Sequence, residues 1–337
     1  MTRLAAIFGC AGPRLLPEEA AFFRDVRPWG FIVFRRNVET PEQLRALTEA
    51  LGAAVDDADT PVLVDQEGGR VQRLGPPHWR RYPPAGAYRR LLPAQQQGMV
   101  RLGARLIAHD LALVGINVDC APVLDVPALG AHDVIGDRAY GEAWMDVAAL
   151  GRAAAEGLIA GGVLPVLKHI PGHGRALADS HESLPLVDAP LAVLERDFEP
   201  FRVCSDMPMA MTSHIVYAAI DPDNPATLSS TVIHGVIRGS IGFDGVLMTD
   251  DLSMKALSGS FETRARRARA AGCDLVLHCN GEMAEMKGVA AGAGALDGQC
   301  LRRTEAALAR LPFAPEPFDP LEGWARFTAA FGGLWAP

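Results

Sequence analysis

Short apolar runs alternate with amphipathic stretches along this chain, and the alternation is regular enough to predict a fold. Eight runs read as strands: "AAIFGC" (5–10), "GFIVF" (30–34), "PVLVD" (61–65), "INVDCAPVL" (116–124), "VLPVLKH" (163–169), "MAMTSH" (209–214), "GVLMTD" (245–250) and "DLVLHC" (274–279). They are rich in Val, Ile and Leu and apolar on both faces, as parallel strands covered on both sides should be. Helical periodicity fills the intervals at 40–55, 99–115, 146–162, 189–202 and 261–271, and recurs at 298–311. The first of these opens with Thr40 as cap, Pro41 at the first helical position and Glu42 behind it, a start signal in its own right. Strands and helices in strict alternation, with no linker or break in composition, predict an α/β chain folded as a single (β/α)8 TIM-type barrel over 1–337, the C-terminal helical segment packed outside it. The competing architecture, an open doubly wound sheet, lacks the glycine-rich dinucleotide turn after its first strand.

Composition narrows the class of function. The chain has 337 residues, 49% hydrophobic and 21% charged, which suits one large buried core. A net charge of −8 with both signs interspersed points away from nucleic acid as a partner. Cys10, Cys120, Cys204, Cys273, Cys279 and Cys300 are scattered and form no CxxC, so neither a zinc knuckle nor a redox pair is signalled and free thiols in a reducing cytosol are expected. The apolar run of "MTRLAAIFGC" falls short of the about 7–15 residues of a signal-peptide core and reads as the first strand. No run reaches the about 18 apolar residues of a membrane helix. A cytoplasmic location without membrane contact is expected.

In a barrel the chemistry sits at the C-terminal ends of the strands, and here polar residues crowd those ends. The third strand runs into "VDQEGGRVQR", the fourth into "DVPALGAHDVIGDRAYG", the fifth into "KHIPGHGRALADSHES", the sixth into "SHIVY" and the seventh into "MTDDLSM". Asp250, the first of the adjacent carboxylates, is placed as a glycosidase nucleophile would be, with Asp251 as a cap or buttress. Asp179 and His181, two apart, suit a carboxylate that orients an imidazole for acid/base work near neutral pH. His169, His173 and His181 also allow a metal site, although Pro171 and two glycines argue against the helix that would put the first pair on one face. His173 reads as structural, His214 as either structural or functional, and His78, His109, His132, His234 and His278 as structural.

Taken together, "KHIPGHG…DSH", "GVLMTDDLSM", "VDQEGGRVQR" and "VIGDRAYG" resemble the motifs of the glycoside hydrolase family 3 β-N-acetylglucosaminidases, in particular the bacterial cytoplasmic enzymes of peptidoglycan recycling. The likeness runs from the first strand to beyond the seventh. It implies a retaining, two-step glycosidase without metal or other cofactor, with Asp250 as nucleophile, His181 as general acid/base and Asp179 as its partner. It also implies that Asp65, Arg73, Arg138, Lys168 and His169 bind the sugar. The implied substrate is a muropeptide fragment with N-acetylglucosamine at its non-reducing end, and the implied state is a monomer. Ile170 stands where the family more often has an aromatic residue, Tyr140 where Phe is common, and the "RALA" spacer (175–178) is less polar than the pattern. Two alternatives remain at this point: a metal-dependent hydrolase using the histidines, and a non-catalytic sugar-binding barrel.

Overall fold

A computed structural model of the chain describes residues 2–180, 183–312 and 314–333. Eight strands form a closed barrel: β1 (Leu4–Phe8), β2 (Pro28–Val33), β3 (Val62–Val64), β4 (Val118–Asp119), β5 (Leu164–Ile170), β6 (Met209–Thr212), β7 (Val246–Asp251) and β8 (Leu275–His278). Each pairs in parallel with its sequence neighbours, and β1 pairs with β8 to close the ring. The expected (β/α)8 barrel is the observed one.

A helix follows every strand. These are α1 (Pro17–Val26), α2 (Pro41–Ala54), α3 (Pro93–Ala112), α4 (Trp144–Ala160), α5 (Leu191–Val203), a π-helical segment Thr231–Ser240 after β6, α6 (Phe261–Ala271) and α7 (Met283–Ala293). Thr40 caps α2 as expected, its hydroxyl accepting from the Gln43 N–H. Strand β4 is much shorter than the run 116–124, although backbone bonds to β5 continue beyond it. The Ala121 and Pro122 carbonyls accept from the N–H groups of Val166 and Lys168, and the Leu124 N–H donates to the Lys168 carbonyl. The pattern reading missed α1, the 231–240 segment and α7. In α7 the sequence "MAEMKGVAAGA" buries only Met286, Val289 and Ala293, too few large apolar residues for a clear period.

Two apolar layers follow from the two-residue repeat of a strand. Inside the barrel pack Ile7, Leu63, Val118, Val166, Met209, Met248 and Leu277, with Trp29 at the N-terminal end. Outside, Phe8, Phe31, Val33, Val64, Leu167, Leu247 and Val276 meet the helices. Helix α8 (Gly298–Leu308) lies against the N-terminal end, where Cys300 and Ala307 join the interior cluster. That end is plugged by apolar side chains, so the opposite mouth is left for chemistry.

Helix α9 (Pro320–Ala330) is a further element the periodicity did not announce. It docks against α3 through Trp324 and Phe327, both buried. The Trp324 ring stacks on Phe327 at 5.4 Å, meets Tyr82 edge-on at 5.5 Å and carries the Arg80 guanidinium 4.6 Å above it. Removing so buried a ring loses both apolar burial and its aromatic contacts. Trp324→Ala is therefore expected to lower unfolding free energy by about 3–5 kcal/mol. Denaturant unfolding measures this, and a loss under about 1 kcal/mol would show that α9 adds little to the barrel.

Candidate active site

The strand repeat that fills the barrel also builds its mouth. Leu63, Val166 and Met248 point inward, so the next inward positions toward the C-terminal end are Asp65, Lys168 and Asp250. All three line one cleft at the barrel mouth. Arg73, Arg138 and His169 line it as well. Six of the eight residues singled out in the sequence thus share one cavity. Of the other two, Asp179 is half-buried in the loop after β5, its carbonyl accepting from the Ser183 N–H at 3.1 Å. His181 lies outside the described residues, while Ser180 lines the cleft.

A chain of alternating charges organises one wall. Arg73 donates to Asp65 Oδ2 at 3.0 Å. Lys168 Nζ donates to Asp65 Oδ1 at 2.7 Å and stands 2.7 Å from Glu67 Oε1. Arg138 then grips Glu67 with two parallel bonds of 2.8 Å each. The Lys168 side chain is 2% exposed, and an ammonium so buried needs such partners. Burial raises the Asp65 carboxyl, but Lys168 and Arg73 outweigh it and hold the group well below the usual carboxylate range. Glu67 is likewise opposed by burial and lowered by Lys168 and Arg138. Burial disfavours the ammonium of Lys168, yet its two carboxylates push its pKa upward. The wall is therefore fully ionised at neutral pH.

The base of the histidine loop is tied to the segment that follows β4. Asp125 is fully buried, and its Oδ1 accepts from the backbone N–H groups of His169 (3.1 Å) and His173 (2.6 Å). Its Oδ2 stands 2.7 Å from His169 Nδ1, which leaves His169 Nε2 for the cleft. The His173 ring lies 5.4 Å from that of His169, and its Nε2 meets Ser180 Oγ at 3.3 Å. Gly174 is required by close approach: a Cβ there would lie 1.9 Å from the Val126 carbonyl. Tyr217 donates to the Gly172 carbonyl at 2.6 Å, and Arg175 pairs with Asp197. Among the described residues no group of His, Cys, Asp or Glu is arranged to hold a metal ion.

The strand end bearing Asp250 is braced by its neighbours. Asp251 turns to the backbone, its Oδ1 accepting from the N–H groups of Ser253 (3.0 Å) and Cys279 (3.1 Å). His214, fully buried, spans Thr227 Oγ1 at 2.7 Å and the Asp251 carbonyl at 3.0 Å. Sequence reading did not assign roles to Glu67 or Asp125. Each stands in a quoted polar stretch after a strand, and the available signal was a carboxylate at that position, the same signal that marked Asp65 and Asp250.

Known proteins resemble this chain along most of its length. The family described as glycosyl hydrolase family 3 N terminal domain matches residues 18–311. A β-hexosaminidase of Alkalilimnicola ehrlichii is 42% identical over 282 residues, which cover 81% of this chain and 80% of that protein. One from Methylococcus capsulatus is 37% identical over 279 residues, covering 81% of this chain and 82% of that one. NagZ of Neisseria gonorrhoeae superposes with a TM-score of 0.85 at 32% identity, over 100% of this chain and 99% of its own. The same enzyme in complex with N-trifluoroacetyl-D-glucosamine superposes with a TM-score of 0.83 at 32% identity, over 98% and 97% of the two chains. Fold and sequence agree, and the chain belongs to glycosyl hydrolase family 3.

Proposed function

We propose that this family 3 enzyme is a retaining β-N-acetylglucosaminidase that releases non-reducing terminal N-acetylglucosamine from peptidoglycan fragments, namely N-acetylglucosaminyl-1,6-anhydro-N-acetylmuramic acid and its peptides. One observation carries the reading: Asp250 enters the cleft at the same level of the barrel as Asp65 and Lys168. A carboxylate able to attack thus shares a pocket with paired charges suited to sugar hydroxyls. The similarity to β-hexosaminidases and to a NagZ bound to N-trifluoroacetyl-D-glucosamine supports the choice of sugar. Six buried free cysteines fit a reducing, cytoplasmic setting. Among the described residues no helix is long and apolar enough to cross a membrane. The enzyme acts as a monomer and needs no cofactor.

The chemistry divides into two balanced steps. Asp250 attacks the anomeric carbon while the bond to the leaving sugar breaks, and protonated His181 gives its proton to the departing oxygen. Water then attacks the glycosyl ester, neutral His181 takes its proton, and Asp250 leaves as carboxylate with the product in the β configuration. Asp179 orients and charge-stabilises the imidazole. Asp65, Arg73, Arg138, Lys168 and His169 hold the sugar hydroxyls during both steps.

The kinetic expectation follows from these roles. With an aryl N-acetyl-β-D-glucosaminide, Asp250→Ala should lower kcat by at least about a thousandfold while the melting temperature holds. His181→Ala should lose most with poor leaving groups, since those depend on the proton. Turnover retained in Asp250→Ala, or equal losses of the His181 variant across leaving groups, would overturn the respective role.

The loop also sets a limit on the acid side. Burial, reinforced by the neighbouring His169, lowers the pKa of His173 to about 4 from 6.5. The unfolded chain therefore binds this proton before the folded one does. Stability from this group is whole above about pH 6.5 and drains as pH falls toward 4. Thermal unfolding scanned across that window should show a falling melting temperature, with a shallower fall in His173→Gln. Identical slopes in the two proteins would remove His173 from the account.

A further inference from the structure

Glu67 lines the cleft wall but is held by two cations of the protein. Its Oε1 receives Arg138 Nη2 and stands 2.7 Å from Lys168 Nζ, and its Oε2 receives Arg138 Nε. The side chain is 7% exposed, against 16% for Asp65. Asp65 has a single cationic partner on each oxygen, so each oxygen keeps a lone pair for a hydroxyl. Arg73, bound to that same Asp65, has an Nε that is buried with no hydrogen-bond partner among the described residues. Unmet donors and acceptors thus gather on the Asp65 side of the wall, while Glu67 is nearly spent on its two cations.

The backbone that carries Glu67 is held unusually firmly. Gln66 is buried, and its Oε1 accepts from the N–H groups of Arg73 (2.9 Å) and Leu74 (3.0 Å) while its Nε2 donates to the Leu74 carbonyl at 2.8 Å. Gly68 follows at φ +90°, and a Cβ there would lie 2.3 Å from the Pro83 carbonyl. Residues Gln66–Gly68 pair antiparallel with Val71–Gln72. A carboxylate fixed from both sides in this way can fix what it touches.

We propose, on the reading of this cleft as an N-acetylglucosaminidase site, that Glu67 is the positioning residue of the sugar pocket. It holds Lys168 and Arg138 in one geometry, so that their remaining N–H groups face the sugar, and makes no contact with the sugar itself. Lys168 has donors left beyond its two carboxylates, and Arg138 beyond Glu67 and the Val134 carbonyl it reaches at 3.1 Å. Loss of Glu67 strips Arg138 of its carboxylate partner and leaves Lys168 only Asp65, which Arg73 also holds, so the pocket loosens in the free enzyme and in the complex alike. Such a change weakens ground-state and transition-state binding together.

The test is steady-state kinetics of Glu67→Gln and Glu67→Asp with an aryl N-acetyl-β-D-glucosaminide, with free N-acetylglucosamine as competitive inhibitor. In Glu67→Gln, KM and Ki should rise together by at least about tenfold, the scale of one lost charge-assisted hydrogen bond, while kcat stays within about threefold. Glu67→Asp keeps the charge but is one methylene short of spanning both cations. Its KM should rise with kcat preserved, and it decides the matter alone if the amide variant does not fold. A fall in kcat at unchanged KM would make Glu67 a participant in the reaction and overturn the proposal, as would unchanged kinetics in either variant. Wild-type enzyme that fails to cleave the glycoside sinks the functional reading itself, and the role of Glu67 with it. Cleavage by wild type with unaltered variants sinks only the latter.

Discussion

The ammonium of Lys168 is buried at the mouth of a barrel whose interior below it is apolar, and that single charge constrains everything around it. Burying an ammonium without partners costs several kcal/mol, whereas close carboxylates restore much of the loss. Asp65 and Glu67 supply them at 2.7 Å each, and they in turn need Arg73 and Arg138. The result is a row of charges in which every member is held by the next. Mutual pairing of this kind limits the ordering cost of binding hydroxyls.

The Asp250 side of the mouth is built by a different device. Asp250 is the penultimate residue of β7, and His214 and Asp251 tie that strand end to its neighbours. The loop after β5 is tied at its base by Asp125, Tyr217 and the Arg175–Asp197 pair. The bonds to the Asp125 carboxylate are charge-assisted and Arg175 with Asp197 is an ion pair, so the stretch from His169 to Arg175 is firmly held. The charged wall and the loop after β5 are thus held by separate sets of contacts.

Much of this was legible in the residues, for reasons that differ from place to place. The barrel followed from eight apolar runs, because strands buried on both faces leave little room for polar residues. Asp65, Lys168 and Asp250 were legible because each interrupts such a run where the strand ends. Glu67 and Asp125 were not assigned, since their importance lies in contacts made with β5 across the barrel, and a local pattern cannot record those. The run 116–124 overstated the strand Val118–Asp119 because its hydrophobicity continues where regular pairing stops. Helices α7 and α9 escaped because their burial rests on a few residues, three in each.

The central claim is that a preassembled wall of charge presents the sugar to Asp250, which bonds to it. Rapid quenching of the enzyme with an activated aryl N-acetyl-β-D-glucosaminide, followed by peptide mapping in a mass spectrometer, reads that bond directly. The account predicts one added N-acetylglucosaminyl group on the peptide that contains Asp250. An adduct on any other residue, or rapid turnover to the α-anomer with no adduct at all, would contradict it.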